Sequence, residues 1–458
     1  MSGKRLIFQL GTNNWQREGE FAPGSGILHE AHHKALNALP NVEAYSIYPS
    51  RTQRSVAPDF RIFELDHDIP ICESISPVSS YRWHGMSDEE ISNYRSRLTR
   101  LVLDWMEEIE AREKSYFSLS IAHHTFLNPL IMRDVNAARV TAGKPRMSLI
   151  CFVHGTALKM YANERRGDNP EEYPLRFLPM IEQEGIFDAD NLPASVDLFA
   201  AISAEQVAAL TDMFPAISAD RIVLSPNGYN QDVFRVIDTP SDIYANRREV
   251  LRSFQTLPYD ASPHSSQFVD TDADAIVIFC GKFAEWKRLD ALLHAAAIYE
   301  QRPQKIVTLI VGTGPTEDQR RLQSLAYDQL KLADVYFLGP RNQDELAVLF
   351  NAADIGCFPS YREPFGLVFI ECMACGTPVI GANSGGPRDF VSADVGHLVD
   401  ETDDRHALGE ALANAIGTAV NENWKPSKGQ TAAQFAARNY SVSNQVSRLL
   451  EEIDQRCG

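Results

Sequence analysis

The sequence lacks features that would mark a membrane, nucleic-acid-binding or disulfide-rich protein. No apolar run approaches the ~18 residues that a membrane-spanning helix requires. There is no basic surplus, since 43 Lys and Arg face 61 Asp and Glu for a net charge of −18, which disfavours nucleic acid and anionic membranes as partners. The seven cysteines in 458 residues are an odd number and lie mostly in apolar runs, as in reduced proteins. We therefore expect a cytoplasmic protein without integral membrane contact.

What the sequence does contain is an alternation of short apolar runs with longer amphipathic stretches. This pattern is typical of βα units around a mostly parallel sheet, so we predict an α/β fold. Predicted strands in the first half cover residues 6–10, 42–48, 117–122, 148–153, 198–203 and 221–225. In the second half they cover residues 275–280, 306–311, 335–338, 355–358 and 378–381.

The two halves predict two Rossmann-like domains that face a cleft. We assign residues 1–235 to the first domain and 275–430 to the second, with a linker and insertion at 236–274 that is rich in Pro, Ser, Asp and Thr. A second irregular insertion is expected at 51–87. Ligands of open α/β sheets bind at the carboxyl ends of the strands, so the candidate residues are those that follow each strand.

In the second half, several strand ends carry glycines or charged side chains. Lys282 and Lys287 follow residues 275–280 near the start of a helix, and together they favour a phosphate or diphosphate, although solvated surface lysines would look the same. Gly312 follows the next strand and permits close approach of a ligand. Glu363 and Glu371 lie after residues 355–358; they could bind sugar and polyol hydroxyls, act as a glycosidase pair, or be surface charges.

In the first half, two strand ends stand out. The loop after residues 6–10 ends in Pro23-Gly24-Ser25-Gly26, where a helix is predicted to begin. His154 follows residues 148–153 and places an imidazole at the same predicted edge, although a lone histidine is more often structural.

In chain order, these motifs resemble the retaining glycosyltransferases of family 4. The second-half segments that match are Gly281-Lys282-Phe283 with Lys287, Phe358-Pro359-Ser360, Glu363-Pro364-Phe365-Gly366-Leu367 with Glu371, Ala374-Cys375-Gly376-Thr377-Pro378, and Gly385-Gly386. In the first half, Pro226-Asn227-Gly228 resembles the inter-domain signature and His154-Gly155 a strand-end histidine of that family. One departure is Lys282, since the family often has arginine there and a lysine loses the bidentate contact.

The resemblance implies a GT-B fold that transfers a hexosyl group from a nucleotide sugar, with a UDP-sugar expected, and retains the anomeric configuration. It implies that C-terminal helices at 431–458 pack back on the first domain. His154, Glu363 and Lys287 would be catalytic. The donor would be bound by Lys282, Lys287 and Glu371, by close backbone approach at Gly24, Ser25, Gly26 and Gly312, and by the backbone of Phe365, Gly366, Leu367 and Val368.

No Asp-x-Asp pair lies at a suitable strand end. Because two lysines can stabilise a leaving diphosphate, we expect a metal-independent reaction that requires no cofactor. The acceptor is expected to be a soluble sugar or another small polar molecule. Candidate acceptor contacts in the first half are Trp15, Arg17, His84 and His124.

Three alternatives accompany this interpretation. His29-Glu30-Ala31-His32-His33 matches the His-Glu-x-x-His helix of zinc metallopeptidases, in which His29 and His33 would bind the metal. Cys372 and Cys375 have Cys-x-x-Cys spacing but no second pair, so we interpret them as core residues. A sugar-nucleotide epimerase or a phosphorylase could share the fold without sharing the reaction.

Overall fold

Tertiary contacts divide the chain into two compact units. The computed structural model describes residues 4–15, 24–51, 53–54, 57–65, 85–167, 170, 175–185, 196–237, 243–263, 268–269 and 271–457. Among the described residues, unit 1 comprises those from 4 to 228 and from 442 to 457, and unit 2 comprises those from 229 to 441. The chain thus changes unit after residues 228 and 441, whereas the predicted domains end at residues 235 and 430.

Unit 1 contains, within its described residues, a sheet of seven strands. They are β1 (Arg5–Leu10), β2 (Val42–Ser50), β3 (Phe60–Glu64), β4 (Phe117–His123), β5 (Ser148–Val153), β6 (Leu198–Ala201) and β7 (Ile222–Leu224). All neighbouring pairs are parallel, in the order β3-β2-β1-β4-β5-β6-β7. The accompanying helices are α1 (Gly24–Asn37), α2 (Asp88–Glu113), α3 (Leu127–Thr141), α4 (Gly155–Arg166), α5 (Phe177–Glu184) and α6 (Ala204–Met213).

Unit 2 repeats this architecture with six strands in its described residues. They are β8 (Ala275–Cys280), β9 (Ile306–Val311), β10 (Val335–Gly339), β11 (Ile355–Phe358), β12 (Val379–Ala382) and β13 (Gly396–Val399), all parallel in the order β10-β9-β8-β11-β12-β13. The helices are α7 (Arg247–Leu251), α8 (Leu289–Tyr299), α9 (Thr316–Ser324), α10 (Gln343–Ala352), α11 (Leu367–Ala374), α12 (Arg405–Asn421) and α13 (Trp424–Tyr440). Every residue of β9 is buried, as expected for a parallel strand covered on both faces.

The last helix, α14 (Val442–Cys457), belongs to unit 1 and packs against α1. Its apolar residues recur every three or four positions and are buried, namely Val442, Val446, Leu449, Leu450 and Ile453, which is the pattern of a helix docked by one face. The helix before it, α13, contacts α11 within unit 2. None of the described helices combines the length and apolarity needed to cross a bilayer.

The strand order reverses once in each sheet, and this reversal positions the candidate sites. In unit 1 the reversal lies between β1 and β4, and in unit 2 between β8 and β11. Crossover helices leave such neighbouring strands in opposite directions, which opens a crevice at their carboxyl ends. Side chains that follow these four strands therefore lie where a ligand would bind.

The fold confirms the predicted α/β class, with local differences. The expected irregular insertion at 51–87 contains β3, which pairs with β2 through residues Phe60–Glu64. The structure adds α4 and β13, which the sequence pattern did not predict. The helix predicted where the Gly-rich loop ends begins earlier than expected, since α1 includes Gly24, Ser25 and Gly26 in its first turn. Residues 66–84 lie outside the described part of the chain.

Candidate functional site

Two lysines, Lys282 and Lys287, follow β8 at the carboxyl edge of the unit 2 sheet. Residues Glu285–Lys287 form one turn of 3-10 helix directly before α8. Lys287 is buried and Lys282 is half-buried. The Lys282 and Lys287 Nζ atoms lie 5.2 and 4.3 Å from the centroid of the Trp286 ring, within the range of cation–π attraction. Two cations are therefore held beside one indole.

Lys287 forms a nearly buried ion pair with Glu363, which is 76 residues further along the chain. Lys287 Nζ donates to Glu363 Oε2 at 2.6 Å, and each side chain is 11% exposed. β8 and β11 are neighbours in the sheet, so the segments after them meet at one edge. Removing one member of a buried pair costs about 3–5 kcal/mol, because the other charge is left without compensation.

Glu371 lies in the second turn of α11 and is buried in the protein interior. Burial raises the pKa of this carboxyl from 4.5 to about 8, so it is mostly protonated at neutral pH. No hydrogen bond from a described residue reaches it. Burial also raises the pKa of the neighbouring Cys280 thiol to about 12, with Glu371 adding to the shift and Lys287 opposing it. Glu371 and Lys287 therefore each lie within electrostatic reach of the Cys280 thiol.

The first turn of α11 supplies backbone donors beside these charges. Gly366 precedes the helix with a φ of 96°, a conformation that favours glycine. Leu367 and Val368 begin the helix and are half-buried, while Phe365 is buried against Phe390. The first amides of an α-helix lack intrahelical acceptors and carry a partial positive charge, so an anion or a hydroxyl can bind there.

Two glycines allow the strand ends to approach each other. Gly312 has a φ of 141°, and a Cβ there would overlap the carbonyl oxygen of Gly281. Gly385 has a φ of 73°, and a Cβ there would overlap the backbone of Glu363. A larger residue at 312 would displace the loop that carries Lys282, and a larger residue at 385 would displace the loop that carries Glu363.

In unit 1, the Gly-rich segment packs closely against the residues that follow β1. Asn13 Nδ2 donates to Ser25 Oγ at 2.6 Å. A Cβ on Gly26 would overlap the carbonyl oxygen of Asn14, whereas a Cβ on Gly24 would meet nothing within 4 Å. Of the three residues, Gly26 is therefore the one that this packing requires to be glycine.

His154 belongs to a cluster of buried histidines at the carboxyl ends of β4 and β5. Its Nε2 lies 3.1 Å from His123 Nδ1, so one of the two rings donates to the other. The His124 ring lies 4.5 Å from that of His154, and the His29 ring 4.7 Å from that of His123. Burial, followed by repulsion from His124, lowers the pKa of His154 well below 6.5. The imidazole is therefore neutral at pH 7.

His29 and His33, the α1 histidines that suggested a zinc site, form hydrogen bonds with different partners. His29 Nδ1 accepts a hydrogen bond from Trp15 Nε1 at 2.9 Å. His33 contacts Ser46 Oγ at 2.9 Å and Asp59 Oδ2 at 3.2 Å. Among the described residues, no three His, Cys, Asp or Glu side chains are grouped as a metal site requires. The metallopeptidase alternative therefore has no support.

Of the four predicted acceptor contacts, the structure describes only Trp15 and His124, and both are buried. Trp15 is 2% exposed and stacks on Tyr48 at 4.5 Å between ring centroids, so its ring packs inside the unit and we do not propose it as a sugar contact. His124 is buried at the end of β4, beside His154. Arg17 and His84 lie outside the described residues.

The sequence interpretation missed two features of these sites. It did not identify Trp286, although an aromatic residue between two lysines was a visible signal. It also treated the histidines of α1 and those of the strand ends as separate groups. The succession of predicted strands could have shown that His123 and His154 are neighbours, because His123 pairs in register with Phe152, two residues before His154.

Comparison of the sequence with known proteins identifies the family of the chain. Residues 264–426 match the family model of glycosyl transferases group 1. The chain is 31% identical over 388 residues to D-inositol 3-phosphate glycosyltransferase 2 of Catenulispora acidiphila, covering 78% of this chain and 79% of that protein. The chain belongs to the group 1 glycosyl transferases. The segment that matches the family model lies entirely within unit 2.

Other similarities to this glycosyltransferase are more partial or more distant. D-inositol 3-phosphate glycosyltransferase of Salinispora tropica is 37% identical, but the match covers 38% of this chain and 37% of that protein. The solved structure of Anabaena Alr3699/HepE in complex with UDP and glucose has a TM-score of 0.61 and 18% identity, covering 98% of this chain and 100% of that one. These findings agree with the GT-B fold. The epimerase and phosphorylase alternatives receive no support from them.

Proposed function

We propose that this glycosyltransferase transfers a hexosyl group from a nucleotide sugar, with a UDP-sugar as the first donor to test, to a small polar acceptor with retention of configuration. The observation that carries the proposal is the grouping of Lys282, Lys287, Glu363 and Glu371 beside the first turn of α11. This grouping combines cations for a diphosphate with oxygen acceptors for sugar and ribose hydroxyls. UDP and glucose in the Anabaena structure support this choice of donor.

The chemistry follows from where charge develops. The bond between the anomeric carbon and the β-phosphate oxygen breaks, which leaves positive charge on the sugar and negative charge on the departing diphosphate. Lys282, Lys287 and the amides of α11 would stabilise the leaving group, as preorganised donors and cations do in other active sites. In a front-face reaction the oxygen of the acceptor hydroxyl forms the new bond to the anomeric carbon on the side that the diphosphate leaves, and the departing phosphate accepts the proton of that hydroxyl. No metal ion takes part in this scheme.

Glu363 and Glu371 would have different roles. Glu363 accepts a hydrogen bond from Lys287, and it would also accept hydrogen bonds from hydroxyls of the transferred sugar. Glu371 accepts no side-chain hydrogen bond from the part of the chain that the structure describes, and hydroxyls of the ribose would supply such bonds. The catalytic role of His154 stays a prediction, tested by the loss of transfer in His154→Ala with donor binding retained.

The acceptor proposal starts from the named relative in Catenulispora acidiphila. D-inositol 3-phosphate is therefore the first acceptor to test, followed by free inositol, hexoses and hexose phosphates. Donor hydrolysis without acceptor is measured first, across UDP-, ADP- and GDP-sugars. The anomeric configuration of the product, read by NMR, tests retention.

Variants at the ion pair test the assignment of the site. We expect Lys287→Gln and Glu363→Gln each to lower the transfer rate at least about 100-fold, which corresponds to about 3 kcal/mol in the transition state. The matched controls are Lys305→Gln and Asp334→Asn, because these residues form an ion pair of 3.3 Å outside the site. Near-normal turnover in both site variants, with both folded, would contradict the assignment.

A further inference from the structure

The indole of Trp286 connects the two lysines of the donor site. The ring lies half-buried on the turn Glu285–Lys287, with Lys282 Nζ at 5.2 Å and Lys287 Nζ at 4.3 Å from its centroid. A ring attracts an ammonium through its quadrupole and uses none of the N–H donors. The cations therefore remain able to donate to phosphate oxygens while their positions are restricted.

The turn that carries Trp286 is itself fixed to the loop of Glu363. The carbonyl oxygen of Trp286 accepts a hydrogen bond from the Tyr361 amide at 2.7 Å. The next residue but one, Arg288, is 2% exposed, and its guanidinium lies 4.6 Å from the Tyr361 ring centroid. Arg288 also pairs with Glu401 and Asp403. The turn that carries the indole is therefore held to the loop of Glu363 by a backbone hydrogen bond and by the contact of Arg288 with the Tyr361 ring.

We propose that Trp286 is a positioning residue that holds Lys282 and Lys287 together to receive the diphosphate of the donor. This inference rests on the proposed donor site. A free lysine side chain has many rotamers, and ordering two of them on binding would weaken affinity. Holding both ammonium groups on one ring reduces that loss, so the contribution of Trp286 should appear for ligands that carry the diphosphate and should be absent for the nucleoside.

The test is a comparison of Trp286→Leu and Trp286→Phe with the wild type. Calorimetry of the full chain measures the affinity for UDP, ADP and GDP and for uridine, the nucleoside without phosphates. We expect Trp286→Leu to weaken diphosphate binding about tenfold, consistent with two cation–π contacts, and Trp286→Phe to lie between it and the wild type. Uridine affinity should change less than about twofold. For turnover, KM for the donor should rise more than kcat falls.

A matched control and a spectroscopic measurement complete the design. Trp424 carries a similar contact, with Lys428 Nζ 3.9 Å from its ring centroid on α13, so Trp424→Phe should leave diphosphate affinity unchanged. The fluorescence difference between wild type and Trp286→Phe should respond to UDP or inorganic pyrophosphate and not to uridine. Equal UDP affinity of wild type and Trp286→Leu overturns the inference alone, as does an equal loss for UDP and uridine. Absence of any diphosphate binding by the wild type overturns the donor site together with it.

Discussion

Replacing Glu371 by glutamine should stabilise unit 2 while it impairs function. Burial raises the pKa of this carboxyl from 4.5 to about 8 in the folded protein. Because the folded pKa lies above the unfolded one, the folded state binds the proton more tightly. Stability is therefore fully present below pH 4.5 and is lost as the pH rises through about 8. Glutamine has a similar shape and no charge to bury.

The size of this effect follows from the pKa shift. Between pH 4.5 and pH 7 the linkage spans about 2.5 pH units at 1.36 kcal/mol each, or about 3 kcal/mol. The variant should thus exceed the wild type by about 3 kcal/mol at pH 7 and by almost nothing near pH 4.5. Over the same range its affinity for the donor should fall, since the NH2 group of glutamine cannot accept a hydrogen bond as the hydroxyl oxygen of the protonated carboxyl can.

Hydrogen exchange on the full chain measures the change in stability, because peptides from each unit report the stability of that unit. Peptides from β12 carry the expected change, and peptides from β5 serve as an internal reference. Glu410→Gln, on the exposed face of α12, is the matched control and should leave the profile unchanged. A stability gain in Glu371→Gln that is the same at pH 5 and pH 8, or no gain at all, would refute the reasoning.

Three further predictions concern acid stability, chain geometry and metal dependence. Burial lowers the pKa of His32 and of His124 from 6.5 to about 4. The stability that is present above pH 6.5 should therefore be lost as the pH falls toward 4, by about 2 kcal/mol per histidine at pH 5. Hydrogen exchange of β4 peptides that is no more acid-sensitive than that of β9 peptides would contradict this prediction. Gly312→Ala should destabilise the protein by about 1–3 kcal/mol because of its φ of 141° and the overlap with Gly281, whereas thermal unfolding of the control Gly24→Ala should match that of the wild type. Transfer should persist in excess EDTA, and abolition by the chelator with recovery on adding a divalent cation would rule out the metal-free scheme.

The sequence by itself determined the α/β class, the positions of most strands and the residues that follow them. The runs at 275–280 and 306–311 are strands in the structure, as predicted. These features depend on local patterns of apolar residues and on helix caps, such as the capping box of Ser87 and Glu90. The resemblance carried by the strand-end motifs was confirmed at the level of the family.

Only the tertiary structure decided which of these residues meet. The pair of Lys287 with Glu363 depends on β8 lying next to β11, and no local pattern specifies that order. The burial that raises the pKa of Glu371 and the packing of Trp15 inside unit 1 are likewise properties of the assembled core. Patterns along a chain record which face of an element is buried, whereas contacts between distant segments arise from how the elements pack, and the chemistry of this site depends on those contacts.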